Sequence, residues 1–181
     1  MSRHFDAAAG LCEQPEPETD GFKLNHTMLR IKDPQRSLDF YTRVLGMRLV
    51  RRLDFEEMRF TLYFLAFLDD RQAAEVPSED GPRTTWNFGR EGVLELTHNW
   101  GDESDPEVAF HDGNTEPKGF GHIAITGPDV YSACERFEAL QVDFVKRPQE
   151  GRMQGIAFIR DPDGYWIEVV QPDLLERQGL G

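Results

Sequence analysis

The chain has little cysteine, little histidine and no long hydrophobic run, and each shortage removes a class of protein. Its two cysteines, Cys12 and Cys134, stand far apart in no zinc or redox spacing. That sets aside disulfide-stapled secreted domains and thiolate metal clusters, and makes free thiols in a reducing cytoplasm the expectation. No apolar run reaches the about 20 residues of a membrane-spanning helix, so no membrane partner is expected. The N-terminal AAAGLC stretch is too short and too poorly flanked for a secretory signal. Basic residues are also in deficit: 20 Lys and Arg against 33 Asp and Glu leave a formal charge of −13. That balance argues against nucleic acid as a partner. An anionic substrate would need a local basic cluster.

What is present is a repeat. With 181 residues, 39% hydrophobic and 13 phenylalanines, the chain can build one domain or two small, closely packed ones. The first copy opens on LNHTMLRIKDP and closes on VLELTHNW; the second opens on FGHIAITGPDV and closes on YWIEVVQPD. A shift of 96 carries His26 onto His122, Asp33 onto Asp129, Tyr41 onto Phe137 and Arg51 onto Arg147. The closing glutamates, Glu95 and Glu168, break that shift: 69 residues separate His26 from Glu95 and 46 separate His122 from Glu168. The first copy therefore carries 23 extra residues. The charged, Pro/Gly-containing stretch 69–83 reads as the loop that holds much of this excess.

Each copy reads as strand, helix and several strands. LNHTMLRI alternates before DPQRSLDFYTRVLG, where Leu38, Tyr41, Thr42 and Leu45 fall at helical spacing and Gly46 stops the helix. MRLVRRLDF, RFTLYFLAFL and VLELTHNW follow as strands. The second copy gives GHIAIT, the helix DVYSACERFEALQ, then VDFVKRP, MQGIAFIRDP and GYWIEVVQ, with DPDG as a hairpin turn. The expected class is α+β, two βαβββ modules at 22–100 and 119–172 joined by a connector, 101–118. An N-terminal arm, 1–21, and a C-terminal tail, 173–181, flank this 22–172 domain.

Side chains two apart on a strand share a face, so His26 shares one with Met28 and Arg30, and Glu95 shares one with Thr97 and Asn99. A carboxylate within an otherwise apolar strand is costly to bury unpaired, and metal coordination is one way to keep it there. Singly, a strand histidine is ordinarily a satisfied polar residue and a strand glutamate faces solvent. Matched placement of His26, Glu95, His122 and Glu168 in a duplicated unit favours one shared metal site. Imidazole with carboxylate suits a divalent transition metal such as zinc, nickel or cobalt, with calcium disfavoured. His4 in the arm, His98 on the opposite face and His111 in the connector are set aside as ligands.

Taken in order, TMLRIKDPQRSLDFYTRVLGM, LYFLAF, LELTHNWG, HDGN, GFGHIAI, PDVYSACERFE and FIRDPDGYWIE resemble the glyoxalase I (lactoylglutathione lyase) family of the vicinal oxygen chelate superfamily. The resemblance covers about residues 22–172 and is nearest the long, eukaryotic-like subtype. It implies paired βαβββ modules and isomerisation of the hemithioacetal of methylglyoxal and glutathione to S-lactoylglutathione, through an enediolate that one divalent metal stabilises. It implies that Glu168 is the base, that Glu95 is a ligand serving the opposite hemithioacetal face, and that His26, Glu95, His122 and Glu168 hold the metal. It further implies a homodimer in which His26 and Glu95 of one chain meet His122 and Glu168 of the other.

For glutathione's carboxylates the matching positions are Arg30, Asn99, Lys118, Lys146 and Arg147; Arg152 nearby reads as surface charge. Phe55, Phe60, Leu62, Phe88, Met153 and Phe158 match an apolar pocket, though core packing would explain most of them equally well. Two positions depart from the long subtype. His26 replaces a usual glutamine, as in the short, nickel-preferring bacterial enzymes, and Lys118 replaces an arginine, giving a point charge in place of a planar fork. Zinc is favoured, with nickel or cobalt as alternatives. The rival functions on this fold are an extradiol-type dioxygenase, which needs only two histidines and one glutamate on iron, and a non-catalytic ligand-sequestering dimer, which lacks the full ligand set.

Overall fold

The structure, a computed structural model, describes residue 6 and residues 8–177. The first module runs β1 (His26–Arg30), α1 (Pro34–Asp39), β2 (Arg48–Phe55), β3 (Phe60–Ala66), α2 (Asp70–Ala74), α3 (Asp80–Phe88) and β4 (Val93–Asn99). The second runs β5 (His122–Thr126), α4 (Val130–Ala139), β6 (Phe144–Lys146), β7 (Ala157–Arg160) and β8 (Trp166–Val170), before a terminal α5 (Leu174–Arg177). The two sheets have the same order, β1-β4-β3-β2 and β5-β8-β7-β6. In each, the opening strand lies parallel to the closing one and the remaining pairs are antiparallel. This is the expected α+β architecture of two βαβββ modules. His4 and residues 178–181 of the tail lie outside the described residues, and the described part of the arm is exposed.

The repeat extends to helix starts. Asp33 accepts from the backbone N–H of Gln35 and Arg36 at the head of α1, and Asp129 accepts from Ser132 at the head of α4. Both therefore satisfy donors that a first helical turn leaves open. The helix expected through Leu45 does not stay regular. After Asp39 it widens into a π-turn, Phe40–Val44, with Leu45 N–H bonded to the Phe40 carbonyl. The Thr42 hydroxyl donates to the Leu38 carbonyl at 2.6 Å, taking the acceptor that the regular ladder would use.

The stretch 69–83 is a correction. It is largely helical, because composition hid two start signals. Asp69 and Gln72 form a reciprocal capping box, and Pro82 sits in the first turn of α3, where its missing N–H costs nothing. The insertion does fall between β3 and β4, where the second module has only the DPDG turn. Arg51 Nη1 holds α3 to β2 through Asp80 at 2.6 Å.

One hydrophobic cluster spans both modules. It joins Leu29, Ile31, Tyr41, Leu94 and Leu96 to Val130, Phe137, Ile159, Ile167 and Val169. The residues alternating with these on β1, β4 and β8 face the other side, where His26, Glu95 and Glu168 lie. The DPDG turn stitches the modules: Tyr41 OH donates to Asp161 Oδ2 at 2.7 Å, and Lys32 N–H and Ser37 Oγ–H donate to Asp163 at 3.0 and 3.1 Å. Burial pushes the Asp161 carboxyl up from the ordinary 3.8 to about 6, and the charge of Asp163 adds to this. The Tyr41 hydroxyl and the N–H groups of Tyr165 and Asp163 pull the other way.

A folded pKa above the unfolded one means Asp161 contributes stability that is fully present below about pH 4 and lost as pH rises through about 6. Denaturant midpoints of the wild type and of Asp161→Asn, compared from pH 4 to 7, should show the wild type losing ground across that window. A pH-independent difference would contradict this account of the seam.

Candidate metal and substrate site

Register places the two histidine–glutamate pairs identically. Glu95 lies opposite Met28 and His26 opposite Val93; Glu168 lies opposite Ala124 and His122 opposite Trp166. Each histidine thus sits one pleat away from its glutamate on the same face, and the side chains meet. His26 Nε2 is 3.2 Å from Glu95 Oε2, and His122 Nε2 is 3.3 Å from Glu168 Oε2. Thr97 Oγ1 also donates to Glu95 at 3.0 Å. Among the described residues, no group of three or more His, Cys, Asp or Glu gathers as a metal-binding set. One chain therefore carries two separate His–Glu pairs, and the four donors do not meet within it.

The donor chemistry of each half fits a divalent transition metal. Imidazole nitrogen and carboxylate oxygen both offer lone pairs, and without a shared proton or cation the two would repel at this distance. Two ligands each about 2.1 Å from one ion at near right angles stand about 3 Å apart, close to the separations of both pairs.

The glutamate of each pair lines a cavity of its own. One, about 310 Å³, is lined by Met28, Arg30, Phe60, Leu62, Glu95, Thr97 and Asn99. The other, about 410 Å³, is lined by Lys146, Arg152, Met153, Ile156, Phe158 and Glu168. Arg152, read from sequence as surface charge, therefore lines the second cavity. Lys146 lines it too, but its ammonium donates to the carbonyls of Met153 at 2.8 Å and Ile156 at 2.6 Å, and burial pulls its pKa down.

Other expected substrate contacts lie elsewhere in the chain. Lys118 is exposed in the connector, 3.8 Å from Glu116. Arg147 pairs with Glu138 and stacks on the Phe144 ring at 4.5 Å, lining neither cavity. Phe55 stacks on Phe60 at 4.6 Å, as a backing to that wall. Phe88, from α3, meets the His26 ring edge-on at 6.1 Å. His98 is buried on the opposite face and bonded to Glu103 at 2.8 Å, and His111 stays in the connector.

Two residues escaped the sequence reading. Phe64, fully buried, lies directly across from Glu95 and edge-on to His26 at 5.9 Å, as Phe158 lies across from Glu168 and edge-on to His122 at 5.2 Å. Each glutamate thus has a phenylalanine beside it. Aligning the strands that precede the two closing strands would have found it. The second is Asn25, whose contacts are described below.

Duplicated βαβββ modules that carry matched histidine–glutamate pairs on their open faces define a protein of the vicinal oxygen chelate class. Residues 23–169 match the family model described as Glyoxalase/Bleomycin resistance protein/Dioxygenase superfamily. A lactoylglutathione lyase of Pseudomonas aeruginosa is 55% identical over 181 residues, covering both chains in full. Another, from Pseudomonas putida, is 58% identical over 163 residues, covering 90% of this chain and 92% of the relative. The solved glyoxalase I of Leishmania major, described as trypanothione-dependent, superposes with a TM-score of 0.64 at 30% identity, over 87% of this chain and 92% of that one. The chain belongs to the glyoxalase superfamily and, within it, to the lactoylglutathione lyases, or glyoxalase I enzymes.

Proposed function

We propose that the chain isomerises the methylglyoxal–glutathione hemithioacetal to S-lactoylglutathione, with His26, Glu95, His122 and Glu168 holding one divalent metal. The observation that carries this reading is the pair of matched His–Glu contacts, each at the mouth of a cavity, in a chain similar along its full length to lactoylglutathione lyases. A bound divalent cation would supply Lewis-acid stabilisation of the enediolate's negative charge.

The remaining work falls to side chains. Glu168 takes the proton from the carbon bearing sulfur, and the electron pair left behind makes the enediolate. The same carboxylate returns the proton to the neighbouring carbon while the hydroxyl proton of the thiohemiacetal passes to that carbon's oxygen, so the ketone carbon is reduced and the thiohemiacetal carbon oxidised within one molecule. No outside oxidant is needed. Glu95, with His26, would hold the metal from the first module. Arg30 and Asn99 on one side, and Lys146 with Arg152 on the other, are the groups in reach of glutathione's carboxylates, with Lys118 approaching from the connector. Phe60, Leu62, Met153 and Phe158 exclude water around the methyl and thioether groups, backed by Phe55 and Phe88. Arg147 would have to leave Glu138 to join them.

Because one chain carries two separate half-sites, we assign the working enzyme as a homodimer in which His26 and Glu95 of one chain face His122 and Glu168 of the other. Zinc is the metal we assign, on the strength of the long insertion. The His₂Glu₂ set also accommodates nickel or cobalt. Among the described residues no helix is long and apolar enough to cross a membrane. The two unpaired cysteines favour the cytoplasm as its location.

The test is to strip the protein with a chelator, add zinc, nickel or cobalt separately, and follow thioester formation from methylglyoxal and glutathione. Zinc should restore turnover. Activity with nickel alone would overturn the choice of zinc, and failure of every metal to restore turnover would overturn the function.

A further inference from the structure

Asn25 stands immediately before His26, and its carboxamide bridges three groups. Nδ2 donates to the Asn87 carbonyl at 3.0 Å and to the Arg90 carbonyl at 2.6 Å. Both amide hydrogens are thereby committed, which fixes the orientation of the amide and leaves Oδ1 facing His26 Nδ1 at 2.6 Å. An amide oxygen only accepts, so Nδ1 carries the imidazole proton. Nε2 is then the nitrogen with the free lone pair, and it is the atom that faces Glu95.

Asn87 and Arg90 lie at the end of α3 and just beyond it, in the insertion that the second module lacks. Phe88 of the same helix walls the His26 ring. In the second module the 96-residue shift puts Gly121 where Asn25 stands, so His122 is preceded by a residue with no side chain to do the same.

We propose that Asn25 is a positioning residue whose Oδ1 locks His26 in the Nδ1-protonated tautomer and thereby helps set how tightly the first half-site holds its cation. The two half-sites are then unequal: His26 is pre-set by the protein before metal arrives, whereas His122 is oriented chiefly by its contacts with Glu168 and Phe158. The inference rests on His26 being a ligand, as assigned above. Partners that orient a metal-binding histidine typically change metal affinity by about 10- to 100-fold when removed.

The experiment compares wild type, Asn25→Ala and Asn25→Asp as full-length protein. Zinc affinity is measured by chelator competition, and the His26 tautomer by nitrogen-15 NMR of the metal-free protein. Asn25→Ala should bind zinc about 10- to 100-fold more weakly and show mixed His26 tautomers. Asn25→Asp keeps an oxygen acceptor for Nδ1–H while losing both bonds to the insertion. It should retain the tautomer and bind zinc within about threefold of wild type. Unchanged affinity and tautomer in Asn25→Ala would overturn the proposal. So would an equal loss in both variants, because Asn25 would then act only by anchoring α3. These readouts need no turnover: failure of the hemithioacetal assay in wild type would refute the proposed function and leave the role of Asn25 to be decided by affinity and tautomer.

Discussion

Glu168→Gln is expected to lower kcat by on the order of 10³-fold, the range found when a positioned general base is removed, while KM changes little. Glutamine keeps an oxygen that can ligate a metal, so zinc binding should weaken without vanishing. The asymmetry between the two glutamates is visible in the structure. Glu95 is held twice, by His26 and by the Thr97 hydroxyl at 3.0 Å, and its side chain is 12% exposed. Glu168 makes one polar side-chain contact among the described residues, with His122, its side chain is 21% exposed, and Val170 stands where Thr97 stands in the first module. A carboxylate that must leave the metal to move a proton needs that looser hold. Steady-state kinetics on Glu168→Gln and Glu95→Gln separate the roles. Near-normal turnover in Glu168→Gln would refute its role as base.

The sequence made the fold legible because the repeat constrains it twice. Each module's strand order, helix cap and inward alternation had a counterpart in the other module, so Asp33 and Asp129 supported each other, as did His26 and His122. Strand parity also put Arg30 on the face of His26 and Asn99 on that of Glu95, and both line the first cavity, since a two-residue period survives folding. What failed lacked a counterpart. The insertion has no partner in the second module, and polar composition alone made 69–83 read as loop although its capping box and early proline are helix starts. Asn25 went unseen for the same reason, because its partners are backbone carbonyls of that insertion, more than 60 residues away. The Arg147–Glu138 pair was not legible because matching positions says nothing of a competing partner, nor was the place of Arg152 in a cavity wall, because exposure and pocket lining are compatible.

If the half-sites of two chains make one catalytic centre, mixed dimers reveal it most directly. Glu95→Gln damages only the first half-site of a chain, and Glu168→Gln only the second. Each variant alone leaves every composite centre with a lesion. In a dimer of one Glu95→Gln chain with one Glu168→Gln chain, one centre collects both lesions and the other has none. Random pairing makes about half of the dimers mixed, each with one of two centres intact, so activity should return to about a quarter of wild type. The measurement is thioester formation by the two variants unfolded and refolded together, against each refolded alone. Recovery to about that level is expected if the centre is shared between chains. A mixture no more active than its separate components would contradict it, because each centre would then belong to a single chain.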